Sequence, residues 1–331
     1  MKTTFSNYKK LFEFSTRHGL VEKSSVVIGL SGGPDSIFLL NFLAPLHHYG
    51  FITLIAAHLD HQWRTESGKD VALCQHACQT LGITLITQRV SDLACSIRYN
   101  GSKEDVARQQ RRFFFETVRH TYGADCIALG HHTDDQDETF FIRLLRGTSL
   151  SGLVGMRAQA GRYIRPLLCL RKKEIVDYLD EHTIAYITDS TNVSDDFLRN
   201  RLRNTVLPAL KQADPRFAIT FSKTLEQLQA TEAFLEKYSL QQYELLVEHK
   251  NAEHTLNIKK FELLDQVIQY RVVIHWLRDY HVNFPVRNNF FAEIIQFLLQ
   301  PQGGTHQIHH DWTIVKKQHR AHIAIKAHPL V

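Results

Sequence analysis

The chain has 331 residues, 44% of them hydrophobic and 22% charged, enough to bury a sizeable core in about two domains of ordinary size. No apolar run approaches the roughly 18 residues that span a bilayer, residues 1–20 are charged throughout where a secretory leader would be apolar, and five cysteines at irregular spacing make no disulfide framework. A membrane protein and a disulfide-stapled secreted domain are thereby excluded, the cytoplasm is the expected compartment, and 39 Lys and Arg against 34 Asp and Glu, a net charge of +5, favour an acidic partner.

Residues 8–18 carry an amphipathic helical pattern. The apolar run 26–30 then reads as a strand and 37–46 as an apolar helix, and between them stands Ser31-Gly32-Gly33-Pro34-Asp35-Ser36. The two glycines allow a tight turn and close approach of a ligand, and the free N–H groups at the helix start attract an anion, most naturally a phosphate. Ser31 and Ser36 add hydroxyl donors. Asp35 would repel a bare phosphate, so its presence implies Mg²⁺ between the two. A glycine turn alone could simply join strand to helix; the Ser and Asp residues are what point to a metal–nucleotide site. The kinase-type pattern G-x-x-x-x-G-K-[ST] is absent.

Further strands are expected at 52–58, 83–90 and 126–129 with helices between, an alternation that makes a doubly wound, mainly parallel sheet. Ligands of such sheets bind beyond the carboxyl ends of the strands. Polar residues gather there in three places: 31–36, 58–64 and 131–138. Cys74 and Cys78, four apart on the helical stretch 70–81, are expected to pack on one face, not to bind metal. Strands at 163–168 and 185–188 should flank a helix at 172–182, before a turn-rich stretch at 189–196. Two basic clusters, Arg157 with Arg162, Arg165, Arg171, Lys172 and Lys173, then Arg199, Arg201 and Arg203, favour a polyanionic partner. From residue 217 the sequence turns helical, with strand alternation only at 305–326, so a boundary is placed at Asp214-Pro215 between domains 1–214 and 215–331. His306, His309 and His310 read as strand residues facing solvent.

Gly130-His131-His132-Thr133-Asp134-Asp135-Gln136-Asp137-Glu138-Thr139 leads from a strand end into a helix. Acidic residues in a first helical turn complement the dipole, and Asp135 and Glu138, three apart, share a face that can hold an ammonium group.

Taken together, the motifs resemble those of the tRNA(Ile)-lysidine synthetases, of the N-type ATP pyrophosphatase superfamily. They are S-G-G-x-D-S at 31–36, His58-Leu59-Asp60-His61 with Arg64, Ala107-Arg108 with Arg111, the 130–139 run, Arg143 to Gly147, Arg165-Pro166-Leu167, Thr191-Asn192 and Arg199-Asn200-Arg201-Leu202-Arg203, all in the family's order over two thirds of the chain. Arg112 stands before Phe113 where that family often has an aromatic residue.

The resemblance implies that ATP adenylates C2–O of the wobble cytidine in the CAU-anticodon tRNA(Ile), after which the ε-amine of free lysine attacks C2 and AMP leaves. It further implies that Ser31, Gly32, Gly33, Pro34, Asp35 and Ser36, with His58 and His132, bind ATP, and that Asp35 holds Mg²⁺. Asp135 and Glu138 would orient lysine, and Arg108 or Arg111 would meet phosphate or the target base. Arg146, Arg199, Asn200 and Arg203 would contact tRNA, the domain 215–331 would bind it too, and a homodimer stays open. Thiolating enzymes of similar fold rely on C-x-x-C, which is missing here. Amidating synthetases and a non-catalytic RNA-binding module are the other rivals, and pyrophosphate release in the presence of tRNA separates the last from an enzyme.

Overall fold

The structure is a computed structural model that describes residues 2–20, 25–62, 67–93, 103–188, 198–250, 253–282, 284 and 288–325. Arg64, Cys95, Thr191, Asn192 and the stretch 189–196 therefore lie outside the described residues. The chain divides into two compact units, 1–217 and 218–331.

The first unit runs α1 (Lys2–Arg17), β1 (Ser25–Gly29), α2 (Pro34–His48), β2 (Thr53–Asp60), α3 (Ser67–Thr80), β3 (Thr84–Arg89), α4 (Lys103–Thr121), β4 (Cys126–Ala128), α5 (Thr133–Arg146), α6 (Leu150–Leu153), β5 (Gln159–Ala160), β6 (Tyr163–Ile164), α7 (Lys172–Glu181), α8 (Leu198–Arg201) and α9 (Leu207–Ala213). Its sheet has the order β3-β2-β1-β4-β6-β5, parallel except for the β5–β6 edge. Alternate residues of each strand feed opposite faces. Val26, Ile28, Leu54 and Ala56 join one apolar core with α2, while Val27, Ile55, Ala57 and Ile127 join another with Phe114, Phe115 and Val118 of α4. Both faces are covered, which is why the strands read as unbroken apolar runs. Cys74 and Cys78 are buried in the first core, as their spacing implies.

Two expected strands differ. The run at 163–168 is a strand only to Ile164, because Pro166 has no N–H for a ladder and opens a 3₁₀ turn, Pro166–Cys169. No strand forms at 185–188: Ile187 donates its N–H to the Gly32 carbonyl at 2.9 Å, which lays the segment over the glycine loop instead of along a sheet edge.

The second unit contains α10 (Phe217–Leu246), β7 (Val247–Lys250), β8 (Glu253–Asn257), α11 (Ile258–Glu262), α12 (Gln266–Asp279), α13 (Asn288–Leu299), β9 (Gly304–Gln307), β10 (Trp312–Lys317) and β11 (Arg320–Ile325). The strands make an antiparallel sheet in the order β7-β8-β11-β10-β9, against which Trp276, Phe261 and Phe291 bury their rings. The hairpin β7–β8 is a correction to the expected strand-free stretch before residue 305. Its strands of four and five residues are too short to stand out between helices. Among the described residues no helix is long and apolar enough to cross a membrane.

Candidate active site

In this sheet the chain winds outward from β1 through β2 to β3, then crosses back to place β4 on the other side of β1. The crevice beyond the carboxyl ends of β1 and β4 is thus the point where the winding reverses. The loop 31–36 follows β1. Ser36 Oγ donates to the Gly33 carbonyl at 3.0 Å and accepts the Ser31 N–H at 3.1 Å, so the two serines pin the turn. Gly32 has φ +81°, and a Cβ there would lie 2.6 Å from Ile187. Pro34 opens α2, where its missing N–H costs nothing. A Cβ on Gly130, after β4, would come within 3.0–3.2 Å of the Asp35 backbone and Cβ, so the two strand ends touch without room for a methyl group.

His132 precedes α5 and is buried between two carboxylates, with Nε2 3.6 Å from Asp35 and 3.5 Å from Asp135. The N–H of His132 donates to Asp135 Oδ2 at 3.1 Å. Burial works against ionisation of Asp135, but His132, His131, that hydrogen bond and Arg199 outweigh it and hold the carboxyl below its usual range. Glu138, only 1% exposed, accepts from Arg203 through both oxygens at 2.6 and 3.0 Å, and Arg199 lies 3.2 Å away. Burial pushes the Glu138 pKa up against the pull of Arg203. Asp135 and Glu138 are thus brought together as expected, yet an arginine pair already holds Glu138. Arg199 and Arg203, four apart on helical backbone, share that side. The alternate spacing of Arg199, Arg201 and Arg203 therefore does not form a single rim. Asn200 between them is buried.

The start of α7 supplies what the sequence did not reveal. Lys172 Nζ lies 2.7 Å from both Asp35 oxygens, and its N–H donates to Asp134 at 2.8 Å. Arg171 donates to the buried carboxylate of Asp137 and lies 3.5 Å from Asp134. The stretch 171–173 read as part of a basic cluster for a polyanionic partner; in the structure two of its three cations are engaged by carboxylates of the site. A signal was present: cations at a helix N-terminus oppose the dipole and need acidic partners.

His58 faces the Leu30 carbonyl at 2.9 Å, buried under the loop beside Cys74. Burial, Arg111 and His58 push the pKa of His61 down to about 4. Burial does the same to His131, against Asp135 and with Arg165, Arg108 and Arg199, also to about 4. Arg108 is thus felt by His131 after β4 and Arg111 by His61 after β2. Arg146 is exposed in the last turn of α5.

A profile of the PP-loop domain family matches residues 2–210. A tRNA(Ile)-lysidine synthase of Bacillus cereus (strain ATCC 10987 / NRS 248) is 33% identical over 315 residues, 92% of this chain and 66% of that protein. The tRNA(Ile)-lysidine synthase of Bacillus subtilis (strain 168) is 36% identical over 298 residues, 88% of this chain and 62% of that protein. The chain thus spans just under two thirds of the length of these relatives. Among solved structures, the U34-tRNA thiolase NcsA from Methanococcus maripaludis shares the fold with a TM-score of 0.57 at 18% identity, covering 68% of this chain and 79% of that one.

Proposed function

Because this chain belongs to the PP-loop domain family, we propose that it forms lysidine, joining free lysine to C2 of the wobble cytidine of the CAU-anticodon tRNA(Ile) at the expense of ATP. The observation that carries this reading is the meeting, at one strand crossover, of a donor-rich loop after β1 and a charged Asp135 after β4. Named relatives over most of the chain support it.

In the first half-reaction C2–O attacks the α-phosphorus of ATP and pyrophosphate leaves. The loop N–H groups after β1 and the hydroxyl of Ser31 receive the phosphates, with Ser36 pinning the loop through the Gly33 carbonyl and His58 fixing it from below through Leu30. Asp35 offers hard carboxylate oxygens beside the loop, the donor class that Mg²⁺ takes, and Lys172 would give up one of the two oxygens that it now holds. When bound, Mg²⁺ would offset charge on departing pyrophosphate. Arg108 is assigned to phosphate or the target base near His131, and Arg111 to the opposite wall.

In the second half-reaction the ε-ammonium of lysine first loses a proton to solvent, the free amine attacks C2, the C2–O bond to AMP breaks, and the second N–H proton also leaves to solvent. Asp135, held ionised, takes the incoming ammonium. Glu138 fixes Arg203 and Arg199 beside it. Arg146 and the unit 218–331 carry RNA contacts.

The test is to incubate the protein with ATP, Mg²⁺, labelled lysine and tRNA bearing the CAU isoleucine anticodon, digest to nucleosides and look for labelled lysidine. Labelled lysidine confirms the assignment; ATP cleavage into AMP and pyrophosphate without it overturns the lysine half.

A further inference from the structure

We propose that His249, His254 and Asp279, in the second unit, form a binding site for a divalent cation of the zinc class. In the hairpin, His249 of β7 lies directly opposite His254 of β8. Directly opposed residues of an antiparallel pair place their Cβ atoms about 4.5–5.5 Å apart, and these two rings meet with centroids 4.5 Å apart at 70°. Asp279 closes the triangle from the last residue of α12, so that one ligand atom of each side chain lies within 4.8 Å of the other two.

Three features separate this group from a chance ion pair. His254 Nδ1 is buried without a hydrogen-bond partner, although it lies 3.6 Å from Asp279 Oδ2. That gap is long for a hydrogen bond, yet close to the roughly 3.3 Å edge between two ligands bound tetrahedrally at about 2.0–2.1 Å. Asp279 is oriented by the Tyr243 hydroxyl, which donates to Oδ2 at 2.6 Å, the kind of outer hydrogen bond that sets a ligating carboxylate. The hairpin is in turn tied to the helix that carries Asp279: the His254 N–H donates to Tyr280 Oη at 2.7 Å, and Trp276 Nε1 donates to the His254 carbonyl at 3.0 Å.

Two imidazoles and a carboxylate suit Zn²⁺, Co²⁺ or Ni²⁺ far better than Mg²⁺ or Ca²⁺, which prefer oxygen alone. Three protein donors leave a position for water. The bound ion would clip the hairpin to the end of α12.

The full chain, stripped with chelator, is titrated with Co²⁺ and followed by visible d–d absorption, then with Zn²⁺ by calorimetry. The chain carries 20 histidines, so a His309→Gln/His310→Gln variant serves as control for adventitious uptake. One ion per chain is expected, bound at least tenfold more weakly by His249→Ala and by Asp279→Asn and unchanged in the control. His249 is exposed, so its replacement keeps the fold, as circular dichroism would verify. Absence of Co²⁺ and Zn²⁺ uptake by the native chain, uptake unaltered in both site variants, or loss of uptake only in the control overturns the site.

Discussion

The ammonium of Lys172 sits 2.7 Å from both carboxylate oxygens of Asp35, joining the loop after β1 to the first turn of α7. Both side chains are partly exposed, so the pair contributes about 1 kcal/mol or less to stability. Lys172→Ala should therefore melt almost where the parent does while releasing pyrophosphate more slowly. Asp35→Ala should lower pyrophosphate release by about 10²-fold or more with tRNA affinity nearly unchanged. An Asp35→Ala protein that adenylates tRNA at the parent rate removes the assignment.

Asp135 and Glu138 should separate by half-reaction. Asp135→Asn is expected to accumulate adenylated tRNA and to need far more lysine. Glu138→Gln releases Arg203 and Arg199 from a buried carboxylate, so both half-reactions should fall together. Lysine titrations of the two variants check this, and identical lysine dependence in both would place the amine elsewhere.

Arg146 and Arg203 make a second contrast. Arg146 is exposed at the end of α5, and Arg146→Ala should flatten the log–log salt dependence of tRNA binding by roughly 0.7. Arg203 is charge-matched to Glu138, so Arg203→Ala should leave that slope alone while lowering turnover. Filter binding over a salt series distinguishes the two; a slope that moves with Arg203 and not with Arg146 reverses the map.

The pH dependence of stability follows from two groups of opposite sign. Burial, Arg111 and His58 hold His61 near 4, below the ordinary histidine value of about 6.5. Between those values the unfolded chain binds a proton that the folded chain refuses. Stability from His61 is present above pH 6.5 and drains as pH falls toward 4, at up to about 1.4 kcal/mol per pH unit. Burial raises Asp137 to about 6 despite Arg171, so its contribution is present at low pH and lost as pH rises from about 4 to 6. Urea unfolding at stepped pH should show His61→Gln flattening the acid limb and Asp137→Asn steepening it. Parallel profiles for both variants would contradict the assignment.

In the second unit Arg271 grips the buried Glu232 at 2.9 and 2.6 Å. Removing Glu232 leaves the mostly buried Arg271 with Glu236 at 3.5 Å as its remaining carboxylate, so Glu232→Ala should cost up to about 3–5 kcal/mol, whereas replacing both Arg271 and Glu232 with well-packed apolar residues should be near neutral. Chemical denaturation of the single and double variants tests this; a double-variant loss equal to the sum of the two single losses would mean that the pair is not coupled.

The parallel sheet, the loop 31–36 and the approach of 130–138 to it were legible because each rests on local pattern: apolar runs of strand length, paired glycines and a dense acidic helix start. What escaped was long-range pairing. Nothing near Lys172 in sequence marks Asp35 as its partner, 137 residues away, and nothing near Glu138 announces Arg203. The lost strand at 185–188 has the same origin, since Ile187 spends its N–H on Gly32. Periodicity reports which face of an element is apolar, and cannot report which charge from a distant helix will meet it.

The neighbourhood of β1 and β4 also sets a timetable. Asp125 donates its N–H to Ser25 O, and its carboxylate accepts the Ser25 N–H, across 100 residues of chain that include β2, α3, β3 and α4. During synthesis β1 can pair with β2 early, but its other edge waits for β4, and the crevice has no second wall until then. A nascent chain halted before β4 would present the glycine loop on an unpaired sheet edge, unable to hold its ligand and open to pairing with another strand.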